Sequence, residues 1–120
     1  MRPTGHSFNR ILNSLPRSEY ERLRPSLKPI LIPAGKVLRR PGQPIQDVYF
    51  VQRGIVSQFI AMKTRGIDVD LVGPEGMLGL PLWYGTRSSS TQWVAQTPTE
   101  ALCMRADVFR RAHPVTERAR

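Results

Sequence analysis

Between Lys28 and Met104 the chain is punctuated by turns. Apolar runs of five to eight residues are closed by Gly or Pro at intervals of about 8 to 12 residues. KPILI ends at Pro33-Ala34-Gly35, KVLRR at Pro41-Gly42, and DVYFVQ at Arg53-Gly54. IVSQFIAM and IDVDLV flank Lys63-Thr64-Arg65-Gly66, which predicts a hairpin with a loop of about four residues. TQWVAQ and EALCM flank Thr97-Pro98-Thr99. Runs this short cannot complete a helix that buries a face, but they suit strands. About seven regularly spaced strands predict a mainly β protein, an antiparallel sandwich or barrel. In IDVDLV the alternation predicts Ile67, Val69 and Leu71 on the core side, with Asp68, Asp70 and Val72 on the wet side.

The β region is flanked by helical patterns. Residues 8–27 carry Phe8, Ile11, Leu12 and Leu15 at helical spacing, then Tyr20 and Leu23 after Pro16. Pro16 suits a first helical turn, and Pro25 stops or kinks the second helix. At the other end ADVFRRA, residues 106–112, predicts a closing helix with Val108, Phe109 and Ala112 apolar. The β-roll is expected over residues 28–104, and the 120 residues suit one domain.

Composition narrows the function classes. One cysteine, Cys103, can neither form an internal disulfide nor hold zinc or a cluster alone, and a reduced, cytoplasmic setting is expected. No apolar run approaches membrane-spanning length, so no membrane partner is expected. The formal charge is +9. It invites anionic partners, but the arginines are scattered, and only the tail concentrates them at Arg105, Arg110, Arg111, Arg118 and Arg120.

The stretch GPEGMLGLPLWYGTRSSS, residues 73–90, combines closely spaced glycines with an arginine and three serines, as a phosphate-binding loop would. It lacks the Gly-Lys-Ser/Thr ending of a P-loop. Gly42, Gly54 and Gly66 stand 12 residues apart, followed by Gly76 and Gly79. This ordered set, in GQPIQDVYFVQRGIVSQF and then VGPEGMLG and SSSTQWVAQ, resembles the cyclic-nucleotide-binding domain. More narrowly it is similar to the sensor domain of Crp/Fnr-type bacterial transcription regulators, over residues 10–112.

The resemblance implies an antiparallel double-stranded β-helix, or jelly roll, with short flanking helices. It also implies a phosphate cassette, in which a glutamate after the last glycine holds the ribose and an arginine pairs with the cyclic phosphate. Cassette positions in this chain are Gly79, Leu80, Pro81, Arg87, Ser88, Ser89 and Ser90. Leu80 stands at the glutamate position and Ser89 at the arginine position, with Arg87 two residues early. Cyclic nucleotide is therefore not expected as a cofactor, and the pocket is expected to be apolar, reshaped or empty, or to take another small effector.

The family's long pairing helix and helix-turn-helix have no counterpart before the chain ends at Arg120. The expectation is a sensor module without its output: a truncated product, a fragment or a stand-alone domain. DNA contact would need the missing domain or rest weakly on charge, and homodimer formation would be weakened. The alternative is a stand-alone interaction module with a basic surface.

Enzyme readings are weak. His6 and His113 lie off every predicted strand, which disfavours a jelly-roll metal site. Asp68, Asp70 and Glu75 could gather a hard cation, but a solvated strand face explains the two aspartates better. Ser88 to Ser90 have no nearby histidine to act as base. Trp83, Tyr84 and Trp93 are expected in the core or pocket wall, and Cys103 as a buried or half-buried structural thiol.

Overall fold

The structure is a computed structural model that describes residues 8–62, 66–79 and 91–112. Two short helices, α1 (Arg10–Asn13) and α2 (Arg17–Leu23), precede a single 3-10 turn at Arg24–Ser26. Among the described residues eight strands follow: β1 (Lys28–Ile32), β2 (Val37–Arg39), β3 (Asp47–Arg53), β4 (Val56–Met62), β5 (Gly66–Val72), β6 (Met77–Leu78), β7 (Thr91–Ala95) and β8 (Thr99–Arg105). The helix α3 (Ala106–Ala112) closes the described chain.

The strands form two antiparallel four-stranded sheets, ordered β1-β8-β3-β6 and β2-β7-β4-β5. Except at the β4–β5 hairpin, each successive strand joins the other sheet. This explains the dense turn signals, because the chain must reverse and change layer after every few residues. Glycines with positive φ stand at four of these crossings: Gly35, Gly42, Gly54 and Gly79. The mainly β jelly-roll expectation is correct. The short strand β6, inside the glycine-rich stretch, was not predicted, since two residues carry no readable period.

The two faces of the first sheet do different work. Phe50 meets Phe109 of α3 at 6.3 Å between ring centroids. Leu12, Tyr20 and Leu23 join the same buried cluster, so the helices cover this face. Next along β3, Tyr49 meets Trp93 of the second sheet edge-on at 6.1 Å. Ile32, Ala95 and Ala101 pack between the two sheets on that side. Asn9 is fully buried and fastens α1 to the sheet. Its Oδ1 accepts from the amides of Ile11 and Leu12, while its Nδ2 donates to the carbonyls of Val51 (2.7 Å) and Gly76 (2.8 Å).

The expected burial of β5 is corrected at three positions. Val72 pairs with the fully buried Val56 and is itself 9% exposed, whereas Val69 and Leu71 are 54% and 61% exposed. Asp70 is exposed, as expected, so the inward residue of β5 is set by its partner on β4 rather than by the alternation of the sequence. Phe8 and Leu15 also fall outside the helices, which are shorter than residues 8–27 suggest. The hairpin closes at Met62 and Gly66, leaving a three-residue connection rather than four.

Candidate functional site

The glycine-rich stretch joins the two layers. It leaves the first sheet after β6 at Gly79 and reaches the second sheet at Thr91. Of the predicted cassette positions, Gly79 is described. Leu80, Pro81, Arg87, Ser88, Ser89 and Ser90 lie outside the described residues, as do Trp83 and Tyr84.

The approach to Gly79 is braced from several sides. The amide of Arg10 donates to the Pro74 carbonyl at 2.8 Å, and Asn9 holds Gly76. Glu75, one of the acidic residues weighed above, turns back to accept from the Gly73 amide at 3.1 Å. Gly79 itself has φ +112°, and a Cβ there would lie 2.6 Å from Val48 Cγ1. Both the backbone conformation and the close approach demand glycine.

On the far side, Thr91 is held by a buried polar network. Arg39 of β2, only 3% exposed, donates through one terminal nitrogen to the Thr91 carbonyl and, at 3.3 Å, to Thr91 Oγ1. Its other terminal nitrogen donates to the Gln43 carbonyl. The Trp93 Nε1 donates to both Thr91 Oγ1 and Gln58 Oε1, each at 3.1 Å. The Arg39 guanidinium also lies over the Trp93 ring, 5.6 Å from its centroid. Burial lowers the Arg39 pKa, although a guanidinium keeps its proton throughout the working pH range.

Beside this network is a cavity of about 110 Å³, lined among others by Arg39, Gln43, Gln46, Asp47, Tyr49 and Trp93. It lies at the end of the roll from which the glycine-rich stretch departs, since Tyr49 pairs with Leu78, the residue before Gly79. Burial first, then Cys103 and Asp47, raises the Tyr49 pKa. Cys103 is half-buried, as expected for a structural thiol. A second cavity, of about 340 Å³, opens beside Asp47, Arg105, Asp107 and Arg110, where an exposed ion pair joins Arg105 to Asp107 at 3.1 Å.

Sequence reasoning anticipated Trp93 as a wall residue but missed Arg39, Gln58, Thr91 and Asn9 as polar anchors. Strand phase gave no signal for Arg39: the register shifts between Val37 and Arg39, so Val37 pairs with Val94 while Arg39 pairs with the buried Trp93.

Comparison with known proteins agrees with this architecture. The family model for the cyclic nucleotide-binding domain matches residues 29–113, and the chain belongs to that family. Solved structures that share its fold include domains of bacterial regulators, each under 25% identical. The N-terminal domain of a transcriptional regulator from Streptomyces coelicolor A3(2) superposes with a TM-score of 0.69 at 19% identity, over 89% of this chain and 77% of that one. A cyclic nucleotide-binding-like protein from Brucella abortus gives 0.65 at 24% identity, over 85% and 88%. The Thermus thermophilus catabolite activator protein gives 0.69 at 22% identity, and this chain spans about half of it, 54% against 92% of its own length. No curated protein matches the sequence. Among the described residues, no helix is long and apolar enough to cross a membrane.

Proposed function

We propose that this chain is the effector-sensing domain of a Crp/Fnr-type regulator whose cassette no longer holds a cyclic nucleotide in the family's manner. The observation that carries this reading is a contrast. The frame of the cassette is kept: Gly79 is pinched against Val48, and the strands on either side are firmly braced. The sequence between them has Leu80 where a ribose-binding carboxylate is expected and Ser89 where a phosphate-binding arginine is expected. A serine hydroxyl does not replace a guanidinium fork. The reading assigns signal sensing, and no catalysis, to these residues.

Losing one charged hydrogen bond typically costs about 1.5–3 kcal/mol. Two independent losses remove roughly two to four powers of ten in affinity. Calorimetric titration with cyclic AMP and cyclic GMP is therefore expected to show no micromolar binding. Micromolar binding that Arg87→Ala abolishes would place Arg87 at the phosphate and overturn the reading of a changed cassette.

A further inference from the structure

We propose that the larger cavity, between the start of β3 and α3, is a binding site for a free α-amino acid with a small apolar side chain, its ammonium received by Asp47 and its carboxylate by Arg110. This goes beyond the sensor reading and does not depend on it, because the site shares no residue with the cassette positions.

Two opposite charges line this cavity without meeting. Asp47 stands directly opposite Arg105 in the β3–β8 pairing, so Arg105 is its natural partner. Arg105 instead donates to the Asp107 carboxylate through two nitrogens, at 3.1 and 3.5 Å. Among the described residues, no hydrogen bond or ion pair reaches the Asp47 carboxylate or the Arg110 guanidinium, and Arg110 Nε is buried. Both residues are half-buried. A charge partly removed from water without a partner is costly, and one ligand can supply both missing partners.

The charges select the ligand. Arg105 and Asp107 neutralise each other, which leaves one free charge of each sign in the wall. A simple anion is repelled by Asp47, and a simple cation by Arg110. A zwitterion satisfies both, and an α-amino acid carries its ammonium and carboxylate on one carbon. Each of its two bonds to the protein is charge-assisted. Pro44, Ile45 and Ala106 supply the apolar part of the wall, which suits a small aliphatic side chain. The volume of about 340 Å³ stands at the lower end of the range for small-molecule sites, about 300–1,000 Å³. The Ala106 amide already ties α3 to β3 by donating to the Gln46 carbonyl at 2.8 Å. A ligand that joins Asp47 to Arg110 adds a second tie, so its binding stabilises the fold.

The test is titration of the full chain with L-valine, N-acetylvaline and valinamide, followed by calorimetry and thermal unfolding. N-acetylvaline keeps the carboxylate without the ammonium, and valinamide keeps the ammonium without the carboxylate. The two also stand for the last and first residues of a peptide, so they tell a free amino acid from a chain end. L-valine is expected to bind and to raise the Tm, with each analogue at least tenfold weaker. Asp47→Asn and Arg110→Gln are each expected to weaken L-valine at least tenfold. Arg111→Gln, at an exposed position of α3 that does not line the cavity, is expected to leave its affinity unchanged. An equal loss in Arg111→Gln would reveal a general effect of charge and overturn the proposal. If circular dichroism shows that Arg110→Gln does not fold, Asp47→Asn decides, and unchanged L-valine affinity in it overturns the proposal. No L-valine binding to the folded wild-type chain, or an analogue that binds as tightly as L-valine, also overturns it.

Discussion

Gly54 lies so close to Thr99 that a Cβ on Gly54 would meet Thr99 Oγ1 at 2.6 Å and the Pro98 carbonyl oxygen at 2.7 Å. The crossing from β3 to β4 is thereby packed against the crossing from β7 to β8. Thr97 ties them further, its hydroxyl accepting from the Ile55 amide at 3.0 Å. Gly54 also has φ +99°, where an L side chain is strained. Gly54→Ala is expected to destabilise the chain by about 2–4 kcal/mol, combining strain with overpacking against backbone. Urea unfolding measures it, and a change below about 0.5 kcal/mol, the size usual for a surface site, would contradict it.

Asn9 offers a sharper test, because its two ends do different jobs. Asn9→Ala loses a helix cap and leaves two carbonyls without their donor, which is expected to cost about 2–4 kcal/mol. Asn9→Asp keeps the cap acceptor but removes both donors to Val51 and Gly76. It is expected to destabilise at least as much as Ala. A near-neutral Asp variant in the same unfolding assay would show that the cap alone matters.

The phase of β5 can be read from a pair of neighbours. Leu71→Thr, at an exposed position, is expected to change stability by about 0.5 kcal/mol or less. Val72→Ala, opposite the buried Val56, is expected to cost about 1.5–3 kcal/mol. The reverse ordering in thermal or urea unfolding would return Leu71 to the core.

Cys103 carries a pH prediction. Burial pushes its pKa up to about 11 from 9.0, with Asp47 adding to the rise and Lys28 opposing it. The folded chain thus holds the thiol proton more tightly than the unfolded chain does. The associated stability is fully present below about pH 9 and is lost as pH rises through about 11. At pH 8 the native thiolate fraction is expected to be about 100-fold below that of an unfolded thiol. Alkylation by iodoacetamide, followed from pH 7 to 11, is the measurement, and native reactivity equal to that in urea would contradict it.

Contact with nucleic acid is expected to rest on charge alone. The +9 charge supports weak, sequence-blind binding of these 120 residues to DNA, lost as salt rises. Gel shifts across a salt series test this, and selective binding at physiological salt would refute it.

The sequence by itself determined the class of fold. Turn residues every few positions forbid long helices, and the glycine spacing marks where the chain changes layer, because those crossings need conformations that are local properties of the residue. It also placed the glycine-rich stretch between two strands. Only the tertiary structure decided that Val72 and not Leu71 points inward, since strand phase depends on the partner strand. Only it brought Arg39 onto Trp93 and Thr91, residues more than fifty positions away, and set Asp47 in the same cavity wall. An arginine in KVLRR reads as solvated. What makes Arg39 a buried cation is the neighbouring strand β7, which brings Thr91 and Trp93 against it, and no local pattern of residues encodes that.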